Sequence, residues 1–279
     1  MTTAATSPTG RIAAGHITLE RRVPPLGGFN MRFLTIELKR RLRNWRTMVF
    51  TVVFPVAMYF MVGYPLRNTA LIEGHPVSAG GLSVGAYIMV SMAVYGAMMS
   101  ATGSGAAVAV ERSLGWSRQL RLTPLNPVAA VSTKVVAGMV FGLIAILGTY
   151  LAGALTGIQM SWSQWVVSAL VAWLLGAALF TTLGLMMGYL VPGENAMQLT
   201  SLVIVFLAFI GGLFYPVSMM PQVLQDVAAW TPVYGIGILS HAPLTGEAFN
   251  LGALVNVLLW LAVFIIGTTL LFRRDTKRV

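Results

Sequence analysis

The chain contains no cysteine among its 279 residues. This absence excludes a disulfide framework, a thiolate-based zinc site and a cysteine nucleophile. The three histidines, His16, His75 and His241, fall in a predicted tail and in predicted outer loops. None of them has the H-E-x-x-H spacing of a zinc-binding helix. The sequence therefore predicts no metal centre.

Charged residues are scarce as well, at 9% of the chain, whereas 57% of the residues are hydrophobic. An average soluble domain carries about 25% charged residues, so a single soluble globular core is excluded. The lysines are Lys39, Lys134 and Lys277, and none lies in a G-x-x-x-x-G-K-[ST] phosphate loop. Neither ATP hydrolysis nor a bound cofactor is predicted for this polypeptide, which we interpret as a non-enzymatic subunit.

The few charges that are present are unevenly placed. Of the eighteen Lys and Arg residues, nine precede Met48, four lie in Arg112–Lys134 and four follow Phe272, which leaves Arg67 elsewhere. Cytoplasmic loops of membrane proteins collect Lys and Arg, so both termini are predicted to be cytoplasmic. The formal net charge of +10 lies beside apolar runs, which favours anionic lipid headgroups over nucleic acid as its partner.

Long apolar runs separate the basic stretches and predict an all-α integral membrane fold. A spanning helix needs about 20 mainly apolar residues, and the charge-free run Val135–Gly193 is long enough for two. Six spans agree with two cytoplasmic termini. After a flexible tail over 1–29, the transmembrane domain is predicted over 30–275, with spans at about 48–66, 83–110, 131–154, 164–190, 196–213 and 251–272.

Pairs of glycines four residues apart mark candidate helix crossings within these spans. Glycine lets two helix backbones approach closely, although this spacing also arises by chance in apolar helices. The pairs are Gly138–Gly142, Gly153–Gly157 and Gly184–Gly188.

An amphipathic helix is predicted at about 30–46, ahead of the first span. Its apolar residues fall within an arc of about 80° on a helical wheel, and most basic residues lie away from that arc. Ile36 and Arg41 interrupt the pattern. Such a helix lies in the membrane interface; a basic flank that happens to be helical is the alternative. The predicted membrane-facing residues are Leu34, Leu38, Leu42 and Trp45.

The segment from Glu111 to Pro127 is the most distinctive predicted cytoplasmic loop. Apolar and basic residues interleave in it, and Pro124 and Pro127 stop it before the third span. A connector needs only a turn and some basic residues, whereas an aromatic-bearing protrusion suits the docking of a partner. On chemistry alone, a docking surface and a plain connector are equally supported.

A second unusual segment, residues 214–250, is too polar to continue the fifth span and too apolar for an ordinary loop. Val223, Leu224 and Val227 predict one face of a short helix. Because non-helical backbone at membrane depth needs shielding by protein or water, we predict a short, partly re-entrant helical cap at the outer end. A rigid lid without substrate contact is the alternative. The bends of the cap are assigned to Pro216, Pro221 and Pro232.

Both segments resemble those of the ABC-2 family of ATP-binding-cassette export permeases, and in particular the daunorubicin-resistance type. With the basic approach helix and six spans, the resemblance covers about residues 30–275. Each motif alone is loose, but their order and spacing are fairly specific. The motifs are Glu111-Arg112, Gly115, Leu120, Thr123-Pro124 and Pro127 in the inner segment, and Gly211–Pro216, Met220-Pro221 and Trp230–Pro232 in the outer one.

This resemblance implies a separate ABC ATPase subunit, which would bind ATP and Mg²⁺ and dock on Glu111–Pro127 and the approach helix. It also implies a second permease chain, identical or a paralogue. Closure of the ATPases would then be transmitted to spans one, two and five. The coupling residues that it implies are Glu111, Arg112, Gly115, Trp116, Leu120 and Pro124.

Large, adaptable side chains in spans one, two and five suit an amphiphilic, drug-like or lipid-like cargo. Methionine adapts to irregular apolar surfaces, and aromatic rings offer stacking faces. For any single one of these residues, helix packing or lipid contact is the simpler explanation. The candidate pathway residues are Phe54, Tyr59, Tyr95, Met98, Phe206 and Phe209.

Taken together, the sequence predicts the permease subunit of an ABC exporter in the plasma membrane, moving cargo out of the cytoplasm or the inner leaflet. A non-transport membrane subunit that anchors or assembles a cytoplasmic partner is one alternative. An ion-coupled carrier or channel is another. The spans carry ionisable residues only at their edges, which weakens the carrier, because such proteins bind their coupling ion with residues of that kind.

Overall fold

The structure, a computed structural model, describes residues 31–71, 83–115, 127–246 and 248–276. These ranges are predominantly helical, with an isolated antiparallel bridge between Ala70 and Ser83. Four helices are long and apolar enough to cross a membrane, and two shorter apolar helices accompany them. The all-α fold of a multi-pass membrane protein is therefore confirmed.

Nine helices make up the described ranges, and two of them are irregular. The second helix contains two π-helical turns, Val49–Val53 and Tyr59–Gly63, and Ala172–Gly176 is a third such turn in the fifth helix. The helices are α1 (Met31–Leu42), α2 (residues 45–63), α3 (Val84–Ser113), α4 (Pro127–Leu155), α5 (Trp162–Leu190), α6 (Asn195–Ile210), α7 (Gln222–Ala229), α8 (Pro232–Thr245) and α9 (Leu251–Thr276).

Helix α3 is the centre of the bundle and contacts α2, α4, α5, α6 and α8. Twenty of its thirty residues are buried, so it is enclosed on all sides rather than on one stripe. Its many Ala, Gly, Ser and Met residues permit this, because small side chains let several helices approach one axis. Movements at either end of α3 therefore reach most of the molecule.

The glycine pair Gly184–Gly188 lies at a true close crossing, between α5 and α3. A Cβ atom on Gly184 would lie 2.1 Å from the carbonyl oxygen of Thr102, and one on Gly105 would lie 2.3 Å from the backbone nitrogen of Leu185. Gly188 approaches the Gly105 carbonyl in the same way, at 3.0 Å. Backbone atoms meet directly here, so no side chain can be accommodated.

The other two pairs each include a glycine that is not at a close crossing. A Cβ atom on Gly142 would have ordinary contacts at 3.7 Å, and one on Gly157 would meet nothing within 4 Å. Gly157 has φ +79° and ends α4 in the left-handed conformation that glycine adopts without steric cost. The glycine spacing alone therefore overestimates the number of crossings.

Helix α1 differs from the predicted interfacial helix in its length and in its faces. It ends at Leu42 instead of continuing to residue 46. Leu34 is buried and Leu38 half-buried, whereas Leu42 and Trp45 are exposed, at 53% and 69%. The buried face consists of Leu34, Glu37 and Arg41, because the two charged side chains find partners beneath the helix. The residues predicted to share one membrane-facing surface therefore lie in different environments, with Leu34 buried and Leu42 and Trp45 exposed.

The outer segment contains more buried helix than the sequence indicates. Helix α7 is the short helix expected from Val223, Leu224 and Val227, but the run 232–245, read as loop, forms the buried helix α8. Thr231 caps α8 by accepting a hydrogen bond from the Tyr234 amide at 3.3 Å. Because α8 contains Gly and Pro residues, which disfavour helices, the sequence pattern did not predict it. His241, expected in an outer loop, lies buried within α8.

Candidate coupling site

Five charged residues gather where α1 crosses the ends of α3 and α4. One oxygen of the Glu37 carboxylate, Oε1, accepts hydrogen bonds from Lys134 Nζ at 2.8 Å and from Arg40 at 2.9 Å. The side chains of Glu37 and Lys134 are each only 5% exposed. We refer to Glu37, Arg40, Arg41, Glu111 and Lys134 as the ion-pair cluster.

Glu111, at the end of α3, joins the same cluster from the other side. Arg40 donates to Glu111 Oε1 at 2.6 Å, and Lys134 Nζ contacts the same oxygen. The Lys134 ammonium therefore lies between a carboxylate from α1 and a carboxylate from α3, while Lys134 itself belongs to α4. One ammonium group holds three helices together.

Arg41 enters the bundle more deeply than the other cations. Its guanidinium donates to the Ser100 carbonyl oxygen at 3.4 Å and lies over the Phe141 ring, 5.6 Å from the centroid. Burial lowers the pKa of Arg41 to about 10, against the opposing effect of Glu37. Arg41 therefore remains charged at neutral pH, and its place on the apolar side of α1 is explained by these contacts.

The charges around Glu37 decide its ionisation. Burial alone would raise the pKa of Glu37, but the charge and hydrogen bond of Lys134, with the charges of Arg40 and Arg41, hold it below its ordinary value of 4.5. A carboxylate whose folded-state pKa is depressed stabilises the fold above its unfolded pKa, and that stabilisation is lost as the pH falls through the folded value.

We therefore expect the protein to lose stability at acidic pH because Glu37 becomes protonated. The apparent Tm of the wild type should be level from neutral pH to about pH 5 and fall below about pH 4.5, whereas Glu37→Gln should show a lower and flatter profile. The measurement is thermal unfolding in detergent across this range. Glu194→Gln, at an exposed carboxylate, is the control and should follow the wild type. A Glu37→Gln profile that parallels the wild type would contradict this assignment.

Arg112 connects α3 to a fourth helix. Its guanidinium donates to the carbonyl oxygens of Gly188 and Tyr189, at 3.1 and 3.3 Å, and lies 5.3 Å from the Tyr189 ring centroid. These carbonyls belong to the last turn of α5, where they have no partner within the helix. A cation at a helix C-terminus is also favoured by the helix dipole. Arg112 thus caps α5.

The predicted Glu-Arg motif is accordingly turned into the bundle. Glu111 binds α1 and α4, and Arg112 binds α5, so the pair fixes the end of α3 to three neighbours. Gly115, at φ +72°, ends α3 in the left-handed conformation. The other predicted coupling residues, Trp116, Leu120 and Pro124, lie outside the described residues.

Three of the predicted pathway residues belong to a row of aromatic rings. The ring centroids of Phe54 and Tyr95 are 5.7 Å apart, those of Tyr95 and Phe214 are 5.4 Å apart, and Phe214 stacks on Phe209 at 4.5 Å. The row runs from α2 across α3 to the C-terminal end of α6. Phe214 was not predicted, because it lies just beyond the apolar run of the fifth span.

The pathway candidates differ in accessibility. Tyr59, Tyr95 and Met98 are buried in the core, whereas Phe206 and Phe209 are exposed at 58% and 56%. On the buried side of α6, α3 and α6 border a small crevice. The hydroxyl of Thr200 in this crevice is buried without a partner among the described residues. The crevice is lined by Met99, Thr102, Gly103, Ala106, Met197, Thr200, Ser201 and Ile204.

The three outer prolines each precede or begin a helical turn. Pro216 precedes the 3₁₀ turn Val217–Met219, Pro221 precedes α7, and Pro232 is the first residue of α8. Proline suits the first position of α8 because its fixed φ matches the first turn and its missing N–H would be unpaired there. Pro216 and Pro221 are capping residues with non-helical backbone angles. Each proline thus lies where the chain enters a helical turn, and its role in bending the predicted cap stays a prediction.

A buried polar contact that the sequence did not indicate joins this cap to α3. The His241 ring stacks on Tyr87 at 4.0 Å between centroids, and its nitrogens lie 2.7 Å from the Gly237 carbonyl and 3.1 Å from the Ser91 hydroxyl. Tyr87 also donates to the Gly212 carbonyl at 3.3 Å. A lone histidine in a run rich in glycine and proline gave no signal for this contact.

The ion-pair cluster was not predicted from the sequence, although the sequence contains part of the evidence for it. Glu37 is the only acidic residue between Glu20 and Glu73, and Lys134 is the only lysine between Lys39 and Lys277. Single opposite charges beside apolar runs indicate pairing, because an unpaired buried charge is costly. The sequence does not say which charges meet, since Glu37 and Lys134 are 97 residues apart.

Comparisons with known proteins identify the family of this chain. Residues 31–242 match the model of a family described as ABC-2 type transporter. The chain is also 30% identical over 208 residues to "Putative transport permease YvfS" of Bacillus subtilis (strain 168), which covers 72% of this chain and 79% of that protein. The matched range contains α1, the ion-pair cluster, Arg112 and most of the outer cap.

Proposed function

We propose that this chain, which belongs to the ABC-2 type transporter family as a membrane permease, is the transmembrane subunit of an ATP-driven exporter. A separate ABC ATPase would bind ATP and Mg²⁺, and a second permease chain would complete the pathway. The cargo is an amphiphilic, drug-like or lipid-like molecule that leaves the cytoplasm or the inner leaflet.

In this proposal the chain crosses the plasma membrane six times, with both termini in the cytoplasm. The four long apolar helices and the two shorter ones, Thr51–Gly63 and Asn195–Ile210, supply six segments. The basic residues before Met48, in Arg112–Lys134 and after Phe272 then share the cytoplasmic side, as positively charged flanks do.

The observation that carries the proposal is the position of Glu111 and Arg112 at the base of the central helix. A partner that moves the segment after Gly115 acts on α3 directly. Glu111 passes that movement to α1 and α4, and Arg112 passes it to α5. Both are positioning residues, since they act through other helices. Trp116, Leu120 and Pro124 are the proposed contacts of the ATPase.

A second permease chain is supported by the unpartnered face of α6. The helix buries Ala196, Thr200, Ile204 and Ala208 along one narrow side. Its other side exposes the aromatic rings of Phe206 and Phe209. A second copy, or a paralogue, on this face would cover these rings and place an apolar, aromatic surface of the kind proposed for the cargo between two chains.

The proposal is tested by affinity purification of the tagged, detergent-solubilised chain from its native membrane, followed by mass spectrometry and an ATPase assay. We expect an ATPase that carries a phosphate loop. Trp116→Ala should lose this subunit and ATP-driven transport while remaining inserted, because a buried aromatic contact at an interface typically contributes about 2 kcal/mol or more.

Trp162→Ala is the matched control, because Trp162 is an 81% exposed tryptophan at the start of α5, outside the proposed docking segment. It should retain both the subunit and transport. Purification of the intact chain alone across mild detergents would favour a membrane anchor or a channel. Normal transport by Trp116→Ala would contradict the docking assignment.

A further inference from the structure

His241, in the buried helix α8, connects this helix to the central helix α3. Its Nδ1 atom lies 2.7 Å from the Gly237 carbonyl oxygen in α8, and its Nε2 atom lies 3.1 Å from the Ser91 hydroxyl in α3. The Tyr87 carbonyl oxygen is also 3.1 Å from Nε2, and the Tyr87 ring stacks on the imidazole. Among the described residues, the side-chain hydrogen bonds that join α8 to α3 are those of His241.

The geometry decides which ring nitrogen of His241 carries the proton. Burial lowers the pKa of His241, so the imidazole is neutral and has one donor and one acceptor. The Gly237 carbonyl, at the shorter distance, can only accept, so Nδ1 is the donor and Nε2 the acceptor. Ser91 then donates its hydroxyl proton to Nε2. One ring thus joins a carbonyl of α8 to a hydroxyl of α3.

Tyr87 extends this contact to a third element, the turn that follows α6. Its hydroxyl donates to the Gly212 carbonyl oxygen at 3.3 Å. Helix α8 packs on the same turn, because a Cβ atom on Gly211 would lie 2.5 Å from the Cβ atom of Val233. The N-terminal end of α3, helix α8 and this turn therefore form one packed unit. We call its polar contact, made by Tyr87, Ser91, Gly212, Gly237 and His241, the His241 junction.

The His241 junction lies at the opposite end of α3 from Glu111 and Arg112. Helix α3 is α-helical throughout Val84–Ser113, whereas α2 and α5 contain π-helical turns. A continuous helix acts as a rigid element, and the stretch between Ser91 and Glu111 rises about 30 Å. Apolar side chains can slide past one another, but a hydrogen bond in a dry interior fixes one relative position, because breaking it leaves polar groups unpaired.

We propose that His241 is a positioning residue that makes α8 follow the movement of α3. This inference deepens the proposed function and rests on it. When an ATPase displaces the Glu111 end of α3, the His241 junction carries the displacement to α8 and to the turn after α6. Without the junction, the Glu111 end still responds to the ATPase while α8 stays behind.

Two substitutions at position 241 separate the two hydrogen bonds. The amide of His241→Asn reaches the position of Nδ1 and keeps the bond to Gly237, but it is too short for Ser91. The longer amide of His241→Gln reaches the position of Nε2 and accepts the Ser91 proton. Ser91→Ala removes the same bond from the α3 side. Ser240→Ala is the matched control, because the Ser240 hydroxyl is buried in α8 without a hydrogen-bond partner among the described residues.

The test uses the full-length chain purified together with its ATPase. Because the chain has no cysteine, it accepts one bimane label at a time. Leu114→Cys reports on the Glu111 end of α3, and Phe249→Cys reports on the chain just after α8. Both side chains are exposed, at 77% and 68%. Quenching of each label by aqueous iodide is measured without nucleotide and after trapping with ATP and vanadate, and the Tm of each variant is recorded.

We expect trapping to change the quenching of both labels in the otherwise wild-type chain. In His241→Asn and in Ser91→Ala, the change at position 249 should fall about fivefold or more, because an unmade buried hydrogen bond shifts an equilibrium by at least that factor. The change at position 114 should remain. His241→Gln and Ser240→Ala should keep both changes, a rescue that a merely structural role of the imidazole would not give.

The outcomes separate this inference from the proposed function. A full response at position 249 in both His241→Asn and Ser91→Ala would overturn the role of His241 and leave the proposed function standing. If trapping changes neither label in the otherwise wild-type chain, the proposed function fails and this inference fails with it. If His241→Asn lowers the Tm and loses both responses, Ser91→Ala decides the matter, because it removes a single hydroxyl and leaves the imidazole in place.

Discussion

Lys134→Met should lower the apparent Tm by about 10 °C, because a buried ion pair that loses one partner costs about 3–5 kcal/mol. The variant leaves Glu37 and Glu111 without the ammonium that lies between them, in a place where the side chain of Lys134 is 5% exposed. Arg40 still bridges the two carboxylates, but the contact of both α1 and α3 with α4 through Lys134 is lost. The measurement is thermal unfolding in detergent, followed by fluorescence-detected size-exclusion chromatography.

Two further variants separate the ion pairing from the loss of one charge. Lys39→Met removes a cation from the exposed side of α1 and should change the Tm by no more than about 2 °C. The double variant Glu37→Gln with Lys134→Met should be more stable than the sum of the two single effects, because each single change leaves an unpaired group. An additive result, or a Lys134→Met variant as stable as Lys39→Met, would refute direct pairing of these residues.

Gly184→Ala is expected to prevent correct assembly of α5 against α3. The added Cβ atom would lie 2.1 Å from the Thr102 carbonyl oxygen and 2.8 Å from its carbonyl carbon. These are backbone atoms, which cannot move away by a change of rotamer as the end of a side chain can. Overpacking of a core costs about 1–3 kcal/mol even where side chains are able to yield, so a larger loss is expected here. The readout is the yield of monodisperse protein after purification and its Tm.

Gly142→Ala provides the matched control, since it is the same substitution within a buried stretch of helix. Its Cβ atom would meet neighbours at 3.7 Å, an ordinary contact. Alanine is a better helix former than glycine by about 1 kcal/mol, so this variant should be as stable as the wild type or slightly more stable. Equal behaviour of the two variants would show that the α3–α5 crossing is wider than the structure indicates.

How far the sequence predicts the site can be judged from Glu111 and Arg112. The pair was identified from its place after an apolar run and from its resemblance to a family motif. The sequence assigned it to a docking segment, whereas the structure turns Glu111 toward Arg40 and Lys134 and Arg112 toward the end of α5. The partners lie up to 77 residues away along the chain, beyond the range of any local pattern.

Helix α1 shows that a local sequence pattern also fails to predict which side of a single helix is buried. A helical wheel groups Leu34 with Leu42 and sets Arg41 aside as an exception. In the fold, Arg41 is buried because it donates a hydrogen bond to the Ser100 carbonyl oxygen and lies over the Phe141 ring. Leu42 is exposed. Periodicity ranks residues by their polarity, but a buried charge is stabilised by its particular partners. Those partners are known only once the helices are placed.

The amino-acid sequence by itself determined that the protein is helical and membrane-embedded, because the transfer of long apolar runs into lipid depends only on length and composition. It also located the basic flanks, the segment after α3 and the proline-rich outer cap. The tertiary structure decided which small residues meet, which charges pair and that residues 232–245 form a buried helix. Each of these depends on distances between helices, and a few ångströms at Gly184 or Lys134 change a favourable contact into a clash or an unpaired charge.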